Sequence, residues 1–529
     1  MTGVLVSGVA MALWPQPEFT TAVPAPITTS TPTSTPVASS GSPRMSGDVP
    51  SGSAPARSAA AKGFKKAPVV KQGQPTLQPS TTATPAPVIG HRYTTTGLNV
   101  RTAASADSKV ITVLASGAKV SLTNGSVSGW TAILHNGDRR WVRSQYLSTT
   151  KPSVAATSSS SSPSLIPGRV VNAKTYGALC DGSHDDRPAI VRALGYLSSK
   201  GGGTLTIPAG NCRFLQTGTS GVTGVGANIS IRGTGASTSR LMLACDSRDS
   251  YREMFRISGG NVSIENVFLV RSTACAGVMI ALRPYTGFTL RNVIMDGQYQ
   301  LGGGGMHALI QPHLSSGTYK NISLIGTTIK NFPGYGLLQP NSATTATDGI
   351  FVDGCTFSGN GSDDLEFNAP NGSMINVTVK NSKFLNNRHV GSGAGFAIGM
   401  ANVENVMLSN NLFDGYNIEP IHIENHSSNV TVQDSTFKRS FLESHSWASH
   451  VNVMSGVQNV TIRRNTFDTS ANTHSINAIF VAAGGAGAPE PHNVRILSNK
   501  FLLRPLSKMA YYSGISGVTI TGNSVRNIP

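Results

Sequence analysis

A short phrase recurs through the second half of this 529-residue chain and limits what it can fold into. It runs Asn261-Val-Ser-Ile-Glu-Asn-Val-Phe268, Gly287-Phe-Thr-Leu-Arg-Asn-Val-Ile294, Asn321-Ile-Ser-Leu324, Gly349-Ile-Phe-Val-Asp-Gly-Cys-Thr-Phe357, Asn376-Val-Thr-Val-Lys-Asn-Ser-Lys-Phe384 and Asn405-Val-Met-Leu-Ser-Asn-Asn-Leu-Phe413. Shorter copies follow at Asn429, Asn459, Asn493 and Gly517, and successive starts lie 26, 34, 28, 27, 29, 24, 30, 34 and 24 residues apart. A near-constant period with variable additions is the mark of a stacked coil, because one turn buries its apolar face only against its neighbours while insertions bulge at loops. Within each phrase the apolar residues alternate, as in Val430 and Val432, so every second side chain of a strand points inward. Asn at the turns suits left-handed backbone and ladders of stacked amides.

The expected fold class is therefore all-β: a right-handed parallel β-helix of ten or more rungs over residues 168–529. With Gly 57 and 13% charged residues, composition agrees with short strands and turns. No run of 18 apolar residues exists, so no membrane span is expected. An apolar run, Val4 to Trp14, precedes the small residues Thr21 to Ala25, and residues 1–26 are read as a candidate secretory signal although no basic residues precede the run. Five cysteines at 180, 212, 245, 275 and 355 are too few and scattered for a disulfide framework or a zinc site; one bridge such as Cys180 to Cys212 is compatible with them, and one thiol must stay unpaired. The net charge is +17, of which residues 1–167 hold +10, from 14 Lys and Arg against 4 Asp and Glu. That basic amino-terminal part favours loose attraction to an anionic surface or only solubility, and identifies no substrate.

Residues 27–91 are dominated by Pro, Thr, Ser and Ala and cannot bury enough apolar surface to offset their ordering entropy, which predicts a disordered stalk. A Ser-rich linker is expected over 149–167. Between them, 92–148 holds short alternating strands: Leu98 to Arg101, Val110 to Leu114, Lys119 to Leu122, Trp130 to Leu134 and Arg140 to Val142. On Gly97-Leu-Asn-Val-Arg-Thr102, Val110-Ile-Thr-Val-Leu114, Gly129-Trp130, Trp141-Val142 and Tyr146-Leu147, this segment resembles a bacterial Src-homology-3-like domain, a small barrel. The resemblance implies either a spacer or a module that binds cell-wall peptidoglycan.

The opening of the coil carries a second resemblance. Val171-Asn-Ala-Lys-Thr-Tyr-Gly-Ala178, Asp181-Gly182, Asp185-Asp186, Gly201-Gly-Gly203 and Ile207-Pro-Ala-Gly210 are similar to the start of the pectate-lyase-like β-helix superfamily, which includes polygalacturonase relatives and phage tailspike depolymerases. It implies a helix over Asp185–Ser199 that closes the end of the coil. Asp181, Asp185 and Asp186 are read as capping that helix, not as metal ligands, and no metal site is assigned.

Candidate chemistry comes from aligning the rungs on their phenylalanines. After Phe357 comes Asp363-Asp-Leu-Glu366-Phe-Asn368; after Phe413, Glu419-Pro-Ile-His422-Ile-Glu424; after Phe437, His450-Val-Asn452. If Leu365, Phe367, Ile421, Ile423 and Val451 point inward, Glu366, His422, Glu424, His450 and Asn452 share one outer face. The intervening rung offers that face only Ala397 and Gly399, a low floor. Adjacent rungs lie about 4.8 Å apart, so Glu366 and the His422 and Glu424 pair are roughly 10 Å apart at the backbone. Side chains then bring carboxyls within the roughly 5–9.5 Å that glycosidases use.

Asp363, Asp364, Glu366, His422 and Glu424 are the candidate catalytic residues. Arg388, His389, Tyr416, Glu419, His445, Trp447 and His450 are candidate substrate contacts, with Tyr416 and Trp447 suited to stack on a sugar ring. Thr347-Asp-Gly349, Asp363-Asp364 and Gly393-Ala-Gly-Phe-Ala-Ile-Gly399 fall in the order of polygalacturonase motifs, but Ala394 stands where that family has histidine and the closing Arg-X-Lys is absent. Only Asp363 and Asp364 are carried over as acids. These features predict an extracellular or envelope-associated enzyme that cleaves a polysaccharide as hydrolase or lyase, without a certain cofactor and with calcium only for a lyase. The alternative is a non-catalytic glycan-binding adhesin or tailspike-like fibre. No nucleic-acid partner is expected, since the coil's basic residues do not cluster with aromatics.

Overall fold

The computed structural model describes residues 87–150 and 169–528, save short internal stretches of which 246–250, 311–316 and 443–447 are the longest. The candidate signal segment, nearly all of the stalk, most of the linker, His445 and Trp447 lie outside the described residues. Two compact units result, one on either side of residues 160–161.

The smaller unit is a seven-stranded antiparallel sheet closed around Leu98, Val100, Val120, Ile133 and Val142. Its strands are Val88–Thr94, Leu98–Arg101, Val110–Leu114, Lys119–Val127, Trp130–His135, Asp138–Arg143 and Leu147–Ser148. The first of these takes in residues that composition assigns to the stalk. It carries no apolar alternation, with Val88 and Ile89 exposed, and pairing with Lys119–Val127 and Leu147–Ser148 makes it a strand.

The larger unit is a parallel β-solenoid. Three sheets of 13, 13 and 11 strands run its length, each strand pairing with its counterpart one rung away. The repeat phrases form the first sheet, the phenylalanines the second, and the strands that follow them the third. Asn261, Asn321, Asn376, Asn405, Asn429, Asn459 and Asn493 all open their phrases with φ between 53° and 63°, and Gly287, Gly349 and Gly517 hold the same place with positive φ. Their amides form the expected ladder, Asn493 to Asn459 at 2.9 Å and Asn459 to Asn429 at 3.1 Å. An inner ladder at the next turn, Asn465 to Asn499 to Asn523, supplies acceptors to backbone N–H groups that would otherwise be buried without partners.

Inside, Phe357, Phe384, Phe413, Phe437, Phe467 and Phe501 stack at 4.7–5.1 Å between ring centroids, which is the rung spacing. The helix spans Arg187–Ser199 and lays Ala189, Ile190, Ala193, Leu194 and Leu197 on the first rungs, sealing the core at that end. It starts two residues later than expected, because the aspartates are used elsewhere. The Asp186 carboxylate accepts from the backbone N–H groups of Leu179, Cys180 and Arg213, and only Asp185 reaches a first-turn amide, that of Arg187. Two disulfides form, Cys180–Cys212 and Cys245–Cys275, with Cys355 free and buried. Scattered spacing in the chain hides the second bridge, because the rung period brings Cys245 and Cys275 together.

Candidate active site

Four neighbouring strands of the third sheet build the site: Leu365–Asn368, Ile398–Ala401, Ile421–Glu424 and Ser449–Met454. Leu365 and Phe367, Ile398 and Met400, Ile421 and Ile423, and Val451 and Val453 point into the core and are buried. Register then places Glu366 beside Gly399, Gly399 beside His422 and His422 beside Asn452, with Asn368, Ala401 and Glu424 in the next outward row.

The Gly399 floor is not open: a Cβ there would lie 2.3 Å from Glu366 Oε2, so the Glu366 side chain crosses it toward the His422 rung. Asn368 donates to Glu366 Oε1 at 2.9 Å, while Oε2 is buried without a donor. Asp363 is buried beside it and accepts from the Phe396 N–H at 2.9 Å and from the Gly395 N–H. Two carboxyls in contact hold together only by sharing a proton. Burial, then the Asp363 charge, pushes the Glu366 pKa well above the ordinary carboxylate value, and burial also raises Asp363 against the pull of its donors. The two backbone amides favour charge on Asp363, so the shared proton resides on Glu366.

Across Gly399, His422 is the opposite case. Its Nδ1 bonds Glu419 Oε1 at 2.7 Å, Nε2 lies 3.4 Å from Glu424 Oε2, and its ring stacks on Phe396 at 4.7 Å. Burial alone lowers an imidazole pKa; here the hydrogen bond and charge of Glu419, with those of Glu424, outweigh it and hold His422 up to about 10. Asn452 fixes Glu419 from the next rung at 2.8 Å. The row is thus a neutral acid, Glu366, facing an imidazolium clamped between carboxylates, of which Glu424 is partly exposed. Calcium does not suit this set, because Asp363 is taken by amides, Glu366 holds a proton and a cation already stands between Glu419 and Glu424.

Of the candidates read from the chain, the structure brings together Asp363, Glu366, His422, Glu424 and Glu419, with His389 at the edge, its Nδ1 3.1 Å from the Gly361 carbonyl and its charge felt at Asp363. Arg388 is exposed and lies over the Tyr299 ring at 5.3 Å. Three expected orientations are corrected. Asp364 is buried at the sheet corner, accepting from Asn360 at 2.6 Å and from the Tyr416 hydroxyl at 2.5 Å. Tyr416, fully buried by that bond, presents no face for a sugar. His450 breaks the alternation at its strand's start and turns inward, bonding Ser440 at 2.8 Å between Phe437 and Phe467; burial takes its pKa down to about 3.

Sequence reading missed Tyr335, whose phenol is largely buried beside Asp363 and feels its charge, and Phe396, which supports His422. Tyr335 precedes a strand of only two residues, Leu337–Leu338, too short to show alternation.

Two measurements probe this description. Gly399→Ala should leave the fold standing, since the obstructing atom ends a flexible side chain, yet displace the Glu366 carboxyl and cost on the order of 10²-fold in any reaction that uses the carboxyl from this position. Unchanged turnover in that variant would show that Glu366 does not act from this position. Burial lifts Asp364 from 3.8 to about 7, so the folded state keeps a proton there that the unfolded chain gives up, and the stability contributed by this group is lost as pH rises across that window. Buried His450, taken from 6.5 down to about 3, works in the opposite sense, so a variant isolates the effect: the calorimetric melting temperature of Asp364→Asn relative to wild type should rise as pH climbs from 3.8 to about 7. A relative melting temperature that falls over that range would refute the assignment.

Residues 96–148 match the family model described as bacterial SH3 domain, and overlapping segments 257–437 and 310–501 match that of the right-handed beta helix region. Over 52 residues the chain is 52% identical to mannuronan C5-epimerase AlgE1 of Azotobacter vinelandii, which is 10% of this chain and 4% of that protein. The chain thus spans a small fraction of that relative. Among solved structures, the A-module of Azotobacter vinelandii mannuronan C-5 epimerase AlgE4 is 16% identical with a TM-score of 0.43, over 68% of this chain and 96% of that one. The tailspike of E. coli bacteriophage HK620 is 15% identical with a TM-score of 0.45, over 67% of each. PfbA, a surface adhesin of Streptococcus pneumoniae, is 13% identical with a TM-score of 0.41, over 68% and 90%. On its family matches and its sheet topology, the chain carries a bacterial SH3 domain followed by a right-handed parallel β-helix.

Proposed function

We propose that the β-helix hydrolyses glycosidic bonds of a polysaccharide on the outer face of its third sheet, with Glu366 as the general acid and Glu424 as its partner carboxyl group. The observation that carries this reading is the contrast across Gly399: one carboxyl kept protonated by burial and by Asp363, the other held next to an imidazolium. Glycosidic cleavage needs that division of labour. Glu366 delivers its proton to the bridging oxygen as the bond from the anomeric carbon breaks, and Glu424 either takes a proton from the attacking water or attacks that carbon itself. His422 stays protonated and is a poor base, which weighs against abstraction of a sugar C5 proton and hence against a lyase.

The curated relative is by name a mannuronan epimerase, so a sugar polymer is a fitting substrate class. Two disulfides suit an oxidising compartment, and work outside the cytoplasm belongs to the same reading. Among the described residues no helix is long and apolar enough to cross a membrane. Reducing-end release from a panel of acidic and neutral polysaccharides, with absorbance near 235 nm followed in parallel, tests the proposal. New reducing ends without new absorbance are expected. New absorbance would make the enzyme a lyase, and no cleavage at all would leave a glycan-binding protein.

A further inference from the structure

The smaller unit bears a feature that the β-helix reading does not use. Strand Asp138–Arg143 alternates Arg139, Trp141 and Arg143 on the side away from the core, which Val142 enters from the other side. The Arg139 guanidinium lies over the Trp141 ring at 5.0 Å, and that of Arg143 over Trp130, on the adjacent strand, at 4.5 Å. Arg101 on the next strand pairs directly with Trp141. Arg139 and Arg143 are exposed, while Trp130 is only 5% exposed. Asp138 is the only carboxylate among the described residues of this unit, and it is occupied by Arg140, at 2.6 Å.

We infer that this face binds an acidic polysaccharide through the Arg139 and Arg143 guanidinium groups. Each guanidinium carbon lies over an indole ring, which holds the exposed arginine in place on this face with its charge available to a carboxylate. Arg143 covers Trp130, which is only 5% exposed, and Arg139 lies over Trp141, so what the two arginines offer a ligand is charge and recognition falls to charge-assisted bonds. The two guanidinium groups stand four residues apart on one extended strand, about 13 Å at the backbone, and so engage carboxylates on separate sugars of one chain. A polymer with a carboxylate on every unit meets that demand, and a single acidic sugar does not.

The experiment uses the full chain carrying Glu366→Gln, so that binding is read without cleavage and failure of the hydrolase reading does not disturb it. Affinity for polygalacturonate, for neutral dextran and for a duplex oligonucleotide is measured at two salt concentrations, with and without the pair Arg139→Gln and Arg143→Gln. Polygalacturonate binding that falls at least about tenfold in the double variant and weakens with salt is expected, with dextran unbound. The pair Arg139→Lys and Arg143→Lys, equal in charge but without the guanidinium, guards against misfolding and is expected to lose most of the affinity as well. Full retention in the Gln pair or the Lys pair, equal binding of dextran, or tighter binding of the oligonucleotide would each overturn the proposal.

Discussion

Glu366→Gln is expected to slow polysaccharide cleavage by about 10²–10⁴-fold, the usual contribution of a positioned general acid. The substitution is nearly isosteric. A glutamine Oε1 still accepts from Asn368, and its amide donates to Asp363 where the shared proton had been, so folding should be little changed. What is lost is the transferable proton alone. Kinetics over a pH series would separate this from a binding defect: wild type should lose activity on the alkaline side as Glu366 ionises, and the variant should show no such limb. A variant that keeps wild-type rates with intact thermal unfolding would remove Glu366 from the reaction and leave the outer face as a binding surface.

The fold was legible because the coil repeats its physics. Each phrase states the same alternation and the same left-handed Asn or Gly, and ten copies average out the irregular ones. The site was legible only in part, since period-two reasoning holds in mid-strand and fails at corners. Glu366, His422 and Glu424 lie within strands, and their outward direction followed from Leu365, Ile421 and Ile423. Asp364 precedes its strand and His450 is the second residue of its own, near corners where the backbone turns, and there an outward position in the pattern becomes a buried one. Tyr416 looked like a sugar platform because an isolated aromatic gives no hint of its partner, and that partner, Asp364, is 52 residues away. The clamp on His422 was within reach of the sequence, since Glu419 precedes it by three residues, but the role of Gly399 depended on which way Glu366 leans.

Phe413→Ala should destabilise the β-helix by about 3–5 kcal/mol, the range for deleting a fully buried phenylalanine. Its ring sits between Phe384 at 5.0 Å and Phe437 at 4.7 Å, so truncation removes two stacked contacts and opens a void that rigid strands on three sides cannot fill by collapse. In a coil where each rung leans on its neighbours, both interfaces of that rung weaken together. Phe480→Ala provides the contrast: Phe480 stacks on Tyr511 at 4.9 Å but on the outer, partly exposed side, and its loss should cost less than about 1.5 kcal/mol. Chemical denaturation of the two variants reads the difference directly. The same rung continues through Tyr416 into Ile421–Glu424, so Phe413→Ala should also loosen the tyrosine that anchors Asp364 and the strand that carries His422. Cleavage should then fall at temperatures well below unfolding. Loss of stability without loss of activity would mean that the outer face is held by its own hydrogen bonds and not by the aromatic stack beneath it.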